Sequence, residues 1–341
     1  MHKPFLFLLV LCLWGNVSAQ VQPEILIRTV LIDSNAPFKN CHASTIVALD
    51  KHREMAAWFG GTAEGKPDVA IWGCYIVNGK PGKVIELARG KDKSGAASPC
   101  WNPVLFKRGK RLYLFYKVGP NPREWWGEYK TSDDEGLHWS FAIRIPDGFL
   151  GPVRNQPVVL SDGRWLFPSS TEADNGEWKV QMETADPLLR NWRKERVLSD
   201  SFGVIQPALL RNGKGWRILC RSKQNVITES VADEKGQHWS VMKATSMPNP
   251  NSGIAAVTLR SGKHLLVYNP LVSGKNWWEG RSVLRLAISG NGTDWQDILT
   301  LEEHASGEYS YPYIIQDEKG LVHITYTDQR RTIHYLQLKL H

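Results

Sequence analysis

The chain has 341 residues, with 42 lysines and arginines against 34 aspartates and glutamates, and 15 tryptophans. The positive surplus is spread along the chain, with no basic run longer than "RNGK" or "QRR", which argues against a nucleic-acid-binding arm. Five cysteines are too few for a disulfide framework, and no stretch beyond the first twenty residues is long and apolar enough to span a membrane.

The first element is "MHKPFLFLLVLCLWGNVSAQ": Lys3, an apolar run from Phe5 to Trp14, then Val17-Ser18-Ala19. This order reads as a secretory signal over residues 1–19, cleaved before Gln20. Cys12 follows Leu11 rather than a small residue, which weighs against a lipid anchor. The expectation is one domain over 20–341, periplasmic or secreted, and monomeric. Cys41, Cys74, Cys100 and Cys220 then read as buried free thiols. Cys41 and Cys100 start equivalent strands of neighbouring repeats, and the reading favours thiols over a bond between them.

From residue 43 the chain repeats an apolar strand, a polar turn and a second apolar strand. The copies are "ASTIVALDKHREMAAWFGG", "NPVLFKRGKRLYLFYKV", "NQPVVLSDGRWLFPSS", "IQPALLRNGKGWRILCRS", "GIAAVTLRSGKHLLVYN" and "SYPYIIQDEKGLVHITYTD". Anchoring on Thr45, Pro103, Pro157, Pro207, Ala256 and Pro312 gives steps of 49 to 58 residues. Turns such as "SDGR" and "RSGK" between β-rich runs mark hairpins. Each pair is followed by a third apolar stretch and then, in four copies, by a polar corner ending in Trp. "SDDEGLHW" (Ser132 to Trp139) is the complete version, with weaker copies ending at Trp192, Trp239 and Trp295. Its Asp is expected to bind backbone N–H groups while the indole packs beneath, a structural role.

Six four-stranded units at this period predict an all-β, six-bladed β-propeller. The sixth unit supplies three strands before the chain ends. "EILIRTVLI" (24 to 32) is expected to complete it and close the ring.

In such a ring the first strand of each blade lines the axis, and its upstream end faces the mouth of the funnel. That geometry nominates Cys41-His42-Ala43-Ser44, Trp101-Asn102, Arg154-Asn155-Gln156, Ile205-Gln206, Asn251-Ser252 and Tyr309-Ser310-Tyr311. The second strands end at the same face with Gly60-Gly61-Thr62, Lys117, Ser169-Ser170-Thr171-Glu172, Arg221-Ser222 and Thr327-Asp328. Convergent polar groups in a concave site are the default binding-site reading, and amides tying blades together are the structural alternative. The loop "TAEGKPDVAIW" adds Glu64 and Asp68 as carboxylates able to lean over the funnel as a general acid. Cys41-His42 with Cys74 and Cys100 lacks zinc-type spacing, so neither metal nor cofactor is expected.

Taken together, the Asp-box octet with its weaker copies, "CHASTIVALDKHREMAAWFGGTAEGKPDVAIW", "GPVRNQP", "IQPALL", "PNPNSGIAAV" and "GEYSYP" resemble the sialidase superfamily, in its branch with degenerate Asp-box repeats. The resemblance covers nearly all of the mature chain. It implies an arginine triad clamping a sugar carboxylate, a tyrosine nucleophile and an acidic acid/base group. Carried onto this chain, it points to Tyr309 as nucleophile and to Asp68 or Glu64 as acid/base. Arg281 or Arg285 stands near the place of one triad Arg, and Arg221 is a further match. His42 stands where the first triad Arg falls and Val204 where the activating Glu falls, which points to another acidic or deoxy sugar.

The expectation is an exported exo-acting glycoside hydrolase. Its catalytic candidates are Tyr309, Asp68, Glu64 and His42, and its substrate-binding candidates Arg154, Asn155, Gln206, Arg221, Arg281, Arg285, Asn102 and Tyr311. The partner is a glycan. A uronate lyase using His42 and Tyr309, and a glycan-binding propeller without activity, remain the two alternatives.

Overall fold

The computed structural model describes residues 21–341 apart from 34, 198, 200, 201 and 277. The expected signal over 1–19 lies outside the described residues. Within them the strands form six antiparallel sheets, the blades of a propeller. The first strands of blades one to six are Asn40–Ala48, Cys100–Arg108, Val158–Val159, Val204–Asn212, Ala255–Thr258 and Tyr309–Gln316. In five blades the remaining strands follow in chain order outward. Blade one is larger, with the short strands Lys80–Pro81 and Ala97–Ser98 added around its third and fourth strands. Blade six is completed by Pro23–Val30, which pairs with Thr332–Leu340 so that the two ends of the chain close the ring.

The strands form because β-branched and aromatic residues alternate along them, and blades are buried on both faces except at their outer strands. Apolar clusters bridge neighbouring blades: Val47 and Phe59 of blade one meet Leu105, Leu114 and Tyr116 of blade two. Trp165 and Phe167 of blade three meet Tyr113 and Phe115 of blade two, and Trp165 is fully buried.

The octet from Ser132 forms the expected corner. Ser132 Oγ donates to Asp134 Oδ1 at 2.7 Å and accepts from the Gly136 N–H at 2.8 Å. Asp134 Oδ1 also accepts from the His138 N–H at 2.9 Å. Asp186 and Asp233 repeat the arrangement at the later copies, and Asn291 replaces the Asp at the fourth. The copy at Asp186 puts Leu189 at φ 59°, in the left-handed region where the complete copy has Gly136.

One offset of the repeat is corrected. Thr45 pairs with Ala57, Val104 with Phe115, Ala208 with Leu219 and Tyr313 with Thr325, each just after a bulge. The equivalents of Pro103, Pro207 and Pro312 is therefore Ser44, one residue before the assumed anchor. Prolines are tolerated at this point because the ladder is already interrupted and no N–H is needed.

Cys41, Cys74, Cys100 and Cys220 are free and buried. Burial pushes the Cys41 and Cys74 thiols up to about 12. A thiol reagent is therefore expected to label none of the four in the native protein and all four in denaturant, counted by mass. A single native-state adduct at any of them would contradict this burial.

Candidate active site

The bulges do more than interrupt pairing. Ala43, Asn102, Gln206 and Tyr311 lie within the bulges of four blades and Asn251 in the loop before the first strand of blade five, all five at positive φ, between 41° and 58°. Left-handed backbone at a non-glycine residue costs on the order of 1–3 kcal/mol, and such residues cluster at functional sites. Here the kink turns a side chain of each bulge to a new direction.

The consequence is clearest at "YSYPY". Without a bulge, Tyr309 and Tyr311 would share one face of the strand. With Tyr311 at φ 51° they do not. The Tyr309 ring stacks on His304, with centroids 4.2 Å apart, and packs against the core between blades five and six. Tyr311 instead turns to the axis, 4.1 Å from the His42 ring, and its hydroxyl lies 2.6 Å from Arg221 Nη1. Of the two tyrosines it is therefore Tyr311, and not the expected Tyr309, that faces the axis.

Tyr311 lines a cleft of ≈510 Å³ at the mouth of the funnel, to which all six blades contribute. Its wall includes Glu64 from the loop of blade one, Asn102 with Trp101 and Trp125 of blade two, and Glu172 with Trp178 of blade three. Gln206, Arg221 and Lys223 come from blade four, and Asn251 and Ser273 from blade five. Of the residues chosen from sequence, Glu64, Asn102, Gln206, Arg221 and Tyr311 therefore meet in one place.

The others do not line this cleft, each for a physical reason. Arg154 is fully buried and donates to the carbonyls of Ser44 at 3.0 Å and of Tyr311 and Pro312 at 2.6 Å, tying blade three to blades one and six. Asn155 ties blade three to the Gln206 and Pro207 carbonyls of blade four. Asp68 is exposed and caps its own loop, accepting from the Thr62 hydroxyl and N–H. The Thr62 hydroxyl holds its carboxyl below the ordinary carboxylate value, so it is a poor proton donor. Arg285 sits on the third strand of blade five, paired with Asp297 at 2.9 Å.

Arg281 is buried and pairs with Glu308 at 2.8 Å. Glu308 also receives Arg330 Nε at 2.9 Å, and Arg330 in turn reaches Glu64. Charges thus alternate from Arg281 through Glu308 and Arg330 to Glu64. Burial works to raise the Glu308 pKa, but Arg330 and Arg281 outweigh it and hold the group below its ordinary value.

His42 lies behind Tyr311 at 1% exposure, and neither ring nitrogen has a protein partner among the described residues. Burial drives its pKa well below the ordinary value, and Arg330, Arg281, Arg154 and Arg221 push the same way. It is a neutral ring that supports Tyr311 from behind.

Glu172 was visible in the sequence only as one strand end among several. In the fold, burial lifts its carboxyl above the ordinary value, against the pull of Arg221, Lys223 and Arg123. It is the carboxyl of the cleft wall whose protonated form burial favours, as a proton donor requires. Among the described residues no three His, Cys, Asp or Glu side chains group closely enough to hold a metal ion.

Gly253 seats the Tyr311 ring. A Cβ there would lie 3.2 Å from the ring, and the neighbouring His42 leaves it little room to yield. Gly253→Ala is expected to displace the hydroxyl by a few tenths of an ångström and lower any turnover about tenfold, with the thermal midpoint nearly unchanged. Comparing kcat/KM with the melting curve checks this.

Residues 53–324 match the family described as BNR repeat-like domain. No curated protein sequence matches the chain. Among solved structures, a protein of unknown function from Dyadobacter fermentans superposes with a TM-score of 0.75 at 12% identity, over 94% of this chain and 100% of the other. Trypanosoma rangeli sialidase superposes with 0.69 at 13% identity, over 93% of this chain and 59% of the sialidase. The NanB sialidase of Streptococcus pneumoniae gives 0.67 at 12% identity, over 92% of this chain and 70% of the enzyme. At such identities the likeness is one of fold, and this chain spans about 59% of the length of the trypanosomal enzyme. With the family match extending over most of its length, the chain belongs to the BNR repeat-like domain family and has the propeller fold of the sialidases.

Proposed function

We propose that this protein is an exported glycoside hydrolase that removes a terminal sugar from a glycan. The observation that carries the reading is the meeting, in one cleft, of a carboxyl with a raised pKa, Glu172, and a phenol held by a guanidinium, the Tyr311–Arg221 pair. Glu172 gives its proton to the leaving glycosidic oxygen as the bond to the anomeric carbon breaks. Tyr311 oxygen adds to that carbon, its proton passing to Glu64, while the hydrogen bond from Arg221 Nη1 at 2.6 Å fixes where that oxygen stands. Water then attacks the same carbon, Glu172 takes its proton, and Tyr311 leaves, recovering its own proton from Glu64, so that Glu172 acts first as acid and then as base. The sialidase-like fold supports this class of chemistry by analogy.

The lyase alternative needs an imidazole that reaches a sugar C–H, and His42 is sealed behind the Tyr311 ring. Incubating the mature protein with a broad glycan panel tests the proposal. Release of a saturated monosaccharide is the expected result. An unsaturated product absorbing in the near ultraviolet would replace hydrolysis by elimination, and binding without any release would make this a glycan-binding propeller.

A further inference from the structure

We infer that the sugar this cleft holds is a neutral one, without a carboxylate, recognised by aromatic faces and uncharged amide and indole groups. The inference rests on the cleft being a sugar site, as proposed above, though not on the reaction performed there.

The argument is a count of hydrogen-bond donors. A guanidinium grips a carboxylate through two parallel N–H groups that must both be accessible. Around this axis they are committed within the protein. Arg154, at 0% exposure, donates to three carbonyls. Arg281, at 1%, serves Glu308 and the Asn251 carbonyl. Arg330 lies between Glu308 and Glu64. Arg221 lines the cleft but is only 5% exposed. Its Nε donates to Asn251 Oδ1 at 2.9 Å, its Nη1 to the Tyr311 hydroxyl at 2.6 Å and Gln206 Oε1 at 3.4 Å, and its Nη2 to the Asn251 carbonyl. Lys223 stands exposed at the rim, its ammonium 2.6 Å from the Gly176 carbonyl and 4.4 Å from the Trp178 ring centre. A lone solvated point charge adds little affinity. Glu64 and Glu172 share the cleft wall, and an ionised carboxylate there repels a second one.

The uncharged groups show the opposite pattern. Asn102 is 6% exposed and lines the cleft, and its amide makes no protein hydrogen bond among the described residues. Trp125 is 9% exposed, and its indole N–H has no partner among the described residues. The Gln206 amide N–H groups likewise make no hydrogen bond among the described residues. The Trp125 N–H is buried, and a buried donor left without a partner costs about 1–3 kcal/mol, while the two amides stand in the cleft wall with unspent hydrogen-bonding capacity, which suits a ligand that supplies acceptors and donors of its own. Sugar hydroxyls do both. The walls of Trp101, Trp125, Trp178 and Tyr311 offer flat apolar surface to the C–H face of a pyranose.

The test is tryptophan fluorescence of the mature protein titrated with matched pairs: methyl glucoside against methyl glucuronide, methyl galactoside against methyl galacturonide. Free N-acetylneuraminic acid is added as a third acid, and each titration is run at low and high salt. The neutral member of at least one pair is expected to bind about tenfold tighter than its acid, roughly one well-made hydrogen bond, with no dependence on salt. Asn102→Asp keeps a side chain that tolerates left-handed backbone, and it is expected to weaken the neutral sugar about tenfold. Trp178→Ala checks the aromatic wall independently, with the same direction expected. An acid that binds tighter than its neutral partner and weakens with salt would overturn the inference, as would failure of every neutral sugar to bind. Neutral sugars that bind while no glycan is cleaved would sink the hydrolase reading and leave this inference standing.

Discussion

Replacing Glu172 by Gln is expected to lower sugar release by about 10²–10⁴-fold, the usual contribution of a positioned proton donor, with sugar affinity nearly kept. Gln preserves the size of the side chain and removes the acidic proton. The pH profile carries the sharper signature. Burial holds the Glu172 carboxyl above its ordinary value in the fold, so the protonated form persists to higher pH than in a free carboxylic acid. Turnover limited by that proton falls as pH rises through the raised pKa. The same shift has a stability counterpart of fixed sign. Because the folded state holds this proton more tightly, the contribution is present below the unfolded pKa and is lost as pH rises through the folded one. Glu172→Gln should therefore erase the alkaline limb of kcat/KM and flatten stability over the same window. Release within a few-fold of wild type would remove Glu172 from the mechanism.

Arg154→Met is expected to cost on the order of 3–5 kcal/mol of stability, read as a lower denaturant midpoint with an unchanged slope. The magnitude follows from what the guanidinium leaves behind. Three carbonyls, of Ser44, Tyr311 and Pro312, lose their donor in a region closed to water, at about 1–3 kcal/mol for each unsatisfied group. Removing a buried charge recovers part of this, and burial already lowers the Arg154 pKa to about 10. Met fills most of the volume, so the loss reports hydrogen bonds rather than a cavity. Arg154→Lys should fall between, since an ammonium lacks the fork that reaches carbonyls of two other blades. A midpoint within experimental scatter of wild type would show that these bonds do not hold the ring.

These two residues mark where the sequence was legible and where it was not. The ring itself could be read, because period, hairpin turns and Asp-box corners are local patterns that six copies repeat. The mouth of the funnel followed from the upstream ends of the first strands, which is why Asn102, Gln206 and Tyr311 were named, and from the downstream ends of the second, which gave Arg221. What local pattern does not carry is direction. A single residue at positive φ decides that Tyr311 rather than Tyr309 turns to the axis, and a Tyr before a Pro gives little warning of it. Arg154 was nominated from its place at the axis and Arg281 from the resemblance, whereas both face carbonyls or a carboxylate brought from other blades. Glu172 stood at a strand end among several polar residues. Its environment is made by Arg221, Lys223 and Trp178, and burial there is a property of the assembled cleft.

The pairing of Pro23–Val30 with Thr332–Leu340 bears on how this protein acquires its site. Closing so long a loop is thermodynamically modest, since each doubling of its length adds only about 0.6 kcal/mol, but such non-local contacts form late and slowly. The cleft draws Glu64 from the first blade and Tyr311 from the last, so it is incomplete until that final strand is in place. Sugar affinity is then a measure of ring closure itself. During refolding it should appear after the bulk of the sheet signal, and by mass action a bound sugar should hold the two ends of the chain together.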